Sequence, residues 1–186
     1  MKPCLVAVGV CSTFLAVVLS AQSGPSQAAA LKQSYNGIKN NIMQAAEKMP
    51  DSDYSFKPTD AERNFGGWVA HVADAQAGGC ARSSGAAAKP LNAGSKTTKA
   101  DLIAALKESF EVCDAAYDGT TDANAGEGVQ SFGGQTTRLA ALWGNIGHDQ
   151  ECYGTMAVYL RLKGIVPPST EAMERGRAGR GRGKKE

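Results

Sequence analysis

The sequence predicts an all-α fold, a bundle of four amphipathic helices, and three observations carry that prediction. Alanine and glycine are abundant, aromatic residues make up 6% of the chain, and β-branched runs beyond the N-terminal segment are short. That composition favours close-packed helices over a sheet. Apolar residues recur at helical spacing in four separate segments, and capping or stop signals bracket them. The 186 residues suit one domain with terminal extensions.

Residues 1–23 read as an address. Met1-Lys2 gives a positive start, Leu5 to Leu19 is apolar, and Ser20-Ala21-Gln22-Ser23 offers cleavage after Ala21 or Ser23. This is the layout of a secretory signal peptide. The apolar run is shorter than the roughly 20 residues of a spanning helix, so no membrane attachment is expected after cleavage. The mature chain is then exported, periplasmic or secreted. Cys4 and Cys11 leave with the signal, and Cys80, Cys113 and Cys152 meet an oxidising compartment. Three is odd, so the arithmetic is one pair plus one free or metal-bound thiol.

The bundle is assigned to residues 24–170. Its first helix spans about 27–48, with Leu31, Ile38, Ile42, Ala45 and Met49 recurring at helical spacing, Tyr35 beside them, and Pro50-Asp51-Ser52-Asp53 ends it. The second begins near Asp60, where Thr59 and Glu62 form a capping-box pattern. Phe65, Trp68, Val69 and Val72 mark its apolar face, and His71 lies beside Gly67, Ala75 and Gly78. These small neighbours leave room near the imidazole for an ion, a water or a ligand, although each glycine costs a helix about 1 kcal/mol relative to alanine.

The linker 83–99 contains Gly85, Pro90, Asn92 and Gly94 and is long enough to travel the length of the bundle. A third helix spans about 99–117, with Leu102, Ile103, Leu106, Phe110 and Cys113 on its inner face. Residues 118–134 read as a polar, glycine-rich connection. The fourth helix, about 135–163, carries Leu139, Leu142, Ile146, Tyr153, Met156 and Leu160 inward. Gly164 suits its C′ position, and Pro167-Pro168 stops it. Residues 171–186 hold six Lys/Arg, three Asp/Glu and almost no apolar residue, so a disordered basic tail is expected. Residues 24–170 hold 13 Lys/Arg against 15 Asp/Glu, which gives the body no basic bias toward nucleic acid.

Chemistry concentrates in His148-Asp-Gln-Glu-Cys152. His148 and Cys152 are spaced i,i+4, which stacks an imidazole and a thiol on one helical face and supplies half of a metal site. The other histidine, His71, lies in the second helix. Asp149 falls on the inward stripe between Ile146 and Tyr153, where a buried carboxylate needs a partner such as a histidine or a metal. No Ser/His/Asp or Cys/His/Asn arrangement is legible.

Four blocks carry a family resemblance: Arg63-Asn-Phe-Gly-Gly-Trp-Val-Ala-His71, Ser109-Phe-Glu-Val-Cys-Asp-Ala-Ala-Tyr117, His148-Asp-Gln-Glu-Cys-Tyr-Gly154 and Tyr159-Leu-Arg-Leu-Lys-Gly-Ile-Val-Pro-Pro168. Together they resemble the DinB/YfiT-like superfamily of metal-dependent four-helix-bundle proteins. The resemblance implies parallel second and third helices joined by a crossover, in keeping with the long linker. It thereby brings Cys80 and Cys113 level and implies a disulfide between them. It also implies a divalent metal, zinc or nickel, on three histidines: one in the second helix and two in the fourth. His71 and His148 match two of these positions, and Cys152 stands at the third. This departure leaves either a His/His/Cys site with an open coordination position or a retired one. The implied function is a metal-dependent enzyme of thiol-dependent transferase or hydrolase type, acting on a small-molecule or thiol substrate, with Asp149 or Glu151 as candidate base. The alternative is a non-catalytic ligand-binding or stress-related bundle with a degenerate site, for which a homodimer is one form.

Overall fold

The computed structural model describes residues 24 and 26–182, with side chains to residue 180; the signal-peptide assignment lies outside the described residues. The chain forms helices α1 (Gln27–Lys48), α2 (Phe65–Ser83) and α3 (Lys99–Asp118), then strands β1 (Gly128–Ser131) and β2 (Gly134–Thr137), then helices α4 (Arg138–Leu162) and α5 (Pro168–Arg182). The fold is therefore mostly helical, with a small two-stranded sheet that the sequence reading does not anticipate.

Each helix starts where a side chain satisfies a free backbone N–H. Ser26, Asn64, Thr98 and Thr137 cap α1 to α4 by accepting from Ala29, Gly67, Asp101 and Ala140 respectively. Asp122 adds a second bond to α1, accepting from the Ala28 N–H at 2.8 Å. At the end of α4, the Gly164 N–H reaches Arg161 O and the Ile165 N–H reaches Leu160 O, with Gly164 at φ +73°. This is a Schellman termination, as the glycine suggests.

Two boundaries differ from the sequence reading. Helix α2 begins at Phe65, not near Asp60. Thr59 and Glu62 form only a turn, while Phe65 N–H bonds Phe56 O and Gly66 N–H bonds Tyr54 O, which ties the incoming chain down one turn later. The connection after α3 contains an antiparallel hairpin in which Ser131 pairs with Gly134 across a two-residue loop, Phe132-Gly133. Gly134, at φ +108°, supplies the positive φ next to that turn. The hairpin displaces the start of α4 to Arg138.

The expected disordered tail also differs: α5 continues to Arg182, although residues 172–180 are all exposed. Its order comes from its first turn. Pro168 occupies a position where its missing N–H costs nothing. Ser169 exchanges hydrogen bonds with the Tyr153 hydroxyl, and Glu171 pairs with Lys48.

The core lies between α1 to α4. Leu31, Ile42, Phe65, Leu106, Leu142, Met156 and Leu160 are sealed from solvent, and Tyr35 stacks on Tyr117 with ring centroids 3.8 Å apart. The Tyr35 hydroxyl donates to Asp114, which also binds Lys39. Contacts between α2 and α4 run in opposite order along the two helices. Tyr159 donates to Arg63 O at 2.6 Å, His71 meets His148, and Arg138 donates to Ser83 O at 2.9 Å. Between α2 and α3, a Cβ on Gly66 would come within 3.1 Å of Leu102, and Cys80 lies at disulfide-bonding distance from Cys113, with Cα atoms 5.0 Å apart.

The Cys80–Cys113 link closes a loop of 33 residues. Its removal by a double Cys→Ala substitution is expected to cost about 3 to 4 kcal/mol, on loop-closure grounds. Chemical denaturation of the double variant against wild type measures this. Loss of under about 1 kcal/mol would show that the link does not constrain the unfolded chain.

Candidate metal centre

Helices α2 and α4 bring His71, His148 and Cys152 together. The Nε2 atoms of the two histidines lie 3.1 Å apart, and Cys152 Sγ lies 3.6 Å from His148 Nε2. One donor atom from each residue falls within 4.8 Å of the others. Tetrahedral zinc bonds of about 2.05 Å to nitrogen and 2.3 Å to sulphur would set the donors roughly 3.3 Å and 3.6 Å apart. The observed separations match both edges, so the donor set fits a small divalent ion.

The neighbours of this cluster hold its side chains in place. Trp68 lies edge-on to His71, with centroids 5.8 Å apart, and its indole N–H donates to the Tyr159 hydroxyl at 3.3 Å. Arg63 sits 4.9 Å over the Trp68 ring. Asp149 is fully buried beside His148, its Oδ1 3.7 Å from His148 Nδ1 and without a hydrogen-bond partner among the described residues. Its Oδ2 accepts from Asn145 at 3.3 Å. A carboxylate at Nδ1 orients an imidazole whose Nε2 faces a metal, the usual outer-shell arrangement of metal-binding histidines.

Electrostatics separate the two imidazoles. Asp149 and Cys152 push His148 up to about 10, against the opposing effect of burial. Burial, Arg63 and the neighbouring His148 hold His71 below the ordinary histidine value. Burial raises Asp149, and His148 opposes that rise. Without metal, the pair therefore favours a single positive charge, on His148, whose Nε2–H donates to neutral His71 across the 3.1 Å contact. A metal bound here would take the place of that proton.

Of the two candidate bases, Asp149 is sealed behind His148, and Glu151 lies on the exposed face of α4, along a shallow groove with Pro58, Glu62 and Tyr159. The histidine pair instead opens onto a cleft of about 900 Å³ between α2, the hairpin and α4. Ala75, Gly78, Phe132, Ala140, Gly144 and Asn145 line it, together with Arg82. The room expected beside Gly78 is filled by Arg82, since a Cβ there would lie 3.2 Å from its Nη2. Gly79 gives way to Phe132 and Asn145 in the same manner. Sequence reasoning missed Arg82, Phe132 and Asn145. Only the Phe132-Gly133-Gly134 run, as a turn signal, pointed toward the hairpin that delivers Phe132.

The sequence profile described as the DinB superfamily matches residues 37–156, well over half of the chain. The chain belongs to the DinB superfamily. Two solved DinB-like proteins share the fold. One, from Bacillus cereus ATCC 10987, has a TM-score of 0.63 at 16% identity, covering 75% of this chain and 95% of its own. The other, from Bacillus subtilis, has a TM-score of 0.60 at 21% identity, covering 74% and 93% respectively. No curated protein matches the sequence. As in any member of so broad a superfamily, the chemistry has to be argued from the site itself.

The proton on His148 has a pH signature in the metal-free protein. Its folded value lies above the ordinary 6.5, so its contribution is complete below 6.5 and is lost as pH rises through about 10. Metal-free wild type should therefore lose stability over that window relative to His148→Gln, as measured by denaturant midpoints at stepped pH. Parallel midpoint curves for the two proteins would contradict the assignment.

Proposed function

We propose that this DinB-superfamily protein is a divalent-metal enzyme, with His71, His148 and Cys152 as the ligands and the adjoining cleft as the substrate site. The observation that carries the reading is the match of the His71–His148 and His148–Cys152 separations to two edges of a tetrahedral ion, with all three donors within 4.8 Å of one another. A bound divalent ion, zinc or nickel, supplies Lewis acidity that activates a weak nucleophile near neutral pH. That chemistry suits a thiol-dependent transferase or a hydrolase.

The chain's own groups have separable tasks. His71 and His148 present their imidazoles at the cleft, and the Asp149 carboxyl faces Nδ1 of the His148 ring from 3.7 Å and favours that ring orientation. Cys152 contributes a thiolate from beneath, one turn along α4. Ala75, Ala140 and Phe132 give the cleft an apolar wall against which a small substrate can lie. Glu151 lies outside this cleft, exposed on the groove beside Pro58 and Glu62.

The same reading includes a crossover bundle in an exported protein. The close approach of Gly66 to Leu102 and of Cys80 to Cys113 supports parallel α2 and α3 helices, with residues 84–98 as the crossover. A cysteine pair at bonding distance supports an oxidising compartment. No helix among the described residues is long and apolar enough to cross a membrane.

Metal content of the mature chain, purified reduced and without chelators, tests the reading by mass spectrometry. Near-stoichiometric metal is expected, with most of it lost in His148→Ala and in Cys152→Ala. Asp149→Asn should retain the metal with roughly 10- to 100-fold weaker affinity. Absence of metal after reconstitution would retire the enzyme reading in favour of a ligand-binding bundle.

A further inference from the structure

Away from the histidines, the same cleft contains a cation whose partners are missing. Arg82 is placed in the last turn of α2, and its guanidinium folds back against Gly78. Its Nε and Nη2 atoms are sealed from solvent and have no hydrogen-bond partner among the described residues. No carboxylate of the described residues lies within ion-pair distance of it. Asp74, the acidic residue lining the cleft, is committed elsewhere, accepting from Ala93 N–H at 2.9 Å and Gly94 N–H at 3.1 Å.

Among the described residues, the guanidinium is compensated by Phe132, whose ring lies 4.0 Å over it. Phe132 is 75% exposed and sits in the two-residue hairpin loop, so little packing holds it there. A cation–π contact is worth less than a charge-assisted bidentate pair, and it leaves the in-plane N–H donors unused. Burying guanidinium donors without acceptors is costly unless a ligand supplies those acceptors.

We infer that the cleft binds an amphipathic anion, its carboxylate or phosphate head on Arg82 and its apolar body along Ala75, Ala140 and Phe132. Movement of the exposed Phe132 ring off the guanidinium face opens the sealed Nε and Nη2 donors to the head, and the ring then covers the bound chain. Arg82 reaches back to the level of Gly78, seven residues from His71, which sets the head about 10 Å from the histidine pair at 1.5 Å per residue. The far end of such a ligand therefore arrives beside His71 and His148. That orientation rests on the metal-site reading above; the anion subsite does not.

Calorimetric titration of the full mature chain with octanoate, octyl phosphate and neutral octanamide tests the inference. At least one anion should bind roughly tenfold or more tightly than octanamide, and the better of the two identifies the head group. Arg82→Gln should abolish that preference, and Arg82→Lys should restore part of it, with folding of both checked by circular dichroism. Equal binding of the three probes, or a preference that survives in Arg82→Gln, would overturn the inference. Repeating the titrations on chelator-treated protein separates the two readings. An Arg82-dependent preference there upholds the subsite even in a protein that takes up no metal.

Discussion

The position of α2 is the constraint on which the site depends. This single helix carries His71, the small residues that open the cleft, and Arg82. Its start is held by the Tyr159 hydroxyl, which donates to Arg63 O and accepts from Trp68. Its far end is held by the Cys80–Cys113 link to α3 and by Arg138 on Ser83 O. A slip of one residue along α4 would move the imidazoles by about 1.5 Å and rotate them by about 100° relative to each other. The 3.1 Å contact between His71 and His148 would not survive that slip.

Within this frame, α4 supplies the opposite half of the centre from a run of small and polar residues. Gly144 and Asn145 line the cleft, with Asn145 close against Gly79 of α2, while His148 and Cys152 stack one turn apart. Asp149 is the costly element. A fully buried carboxylate oxygen without a hydrogen-bond partner destabilises the fold unless a charged group answers it. His148 faces it from 3.7 Å, so the same imidazole that belongs to the candidate donor set also answers the buried carboxyl.

Much of this was legible in the sequence. The heptad-like spacing of Leu31, Ile38 and Ile42 specifies α1, because one buried stripe is all that an outer helix needs. The i,i+4 spacing of His148 and Cys152 fixes their shared face, and the inward position of Asp149 follows from the same periodicity. The start of α2 was not legible, because the local pattern at Thr59 and Glu62 competes with tertiary bonds from Phe56 and Tyr54 that no local pattern encodes. The hairpin was hidden because Val129 is its one buried residue, too little for an alternating signal. Arg82 resembles any helical surface arginine until Phe132, fifty residues later, closes over it.

The centre is tested most directly by X-ray absorption at the metal edge of zinc-loaded protein. The His/His/Cys assignment predicts one sulphur at about 2.3 Å and nitrogen or oxygen neighbours at about 2.0 to 2.1 Å. It also predicts loss of the sulphur shell in Cys152→Ser. A first shell of nitrogen and oxygen alone in the wild type would contradict it, because Cys152 would then stand beside the metal without binding it.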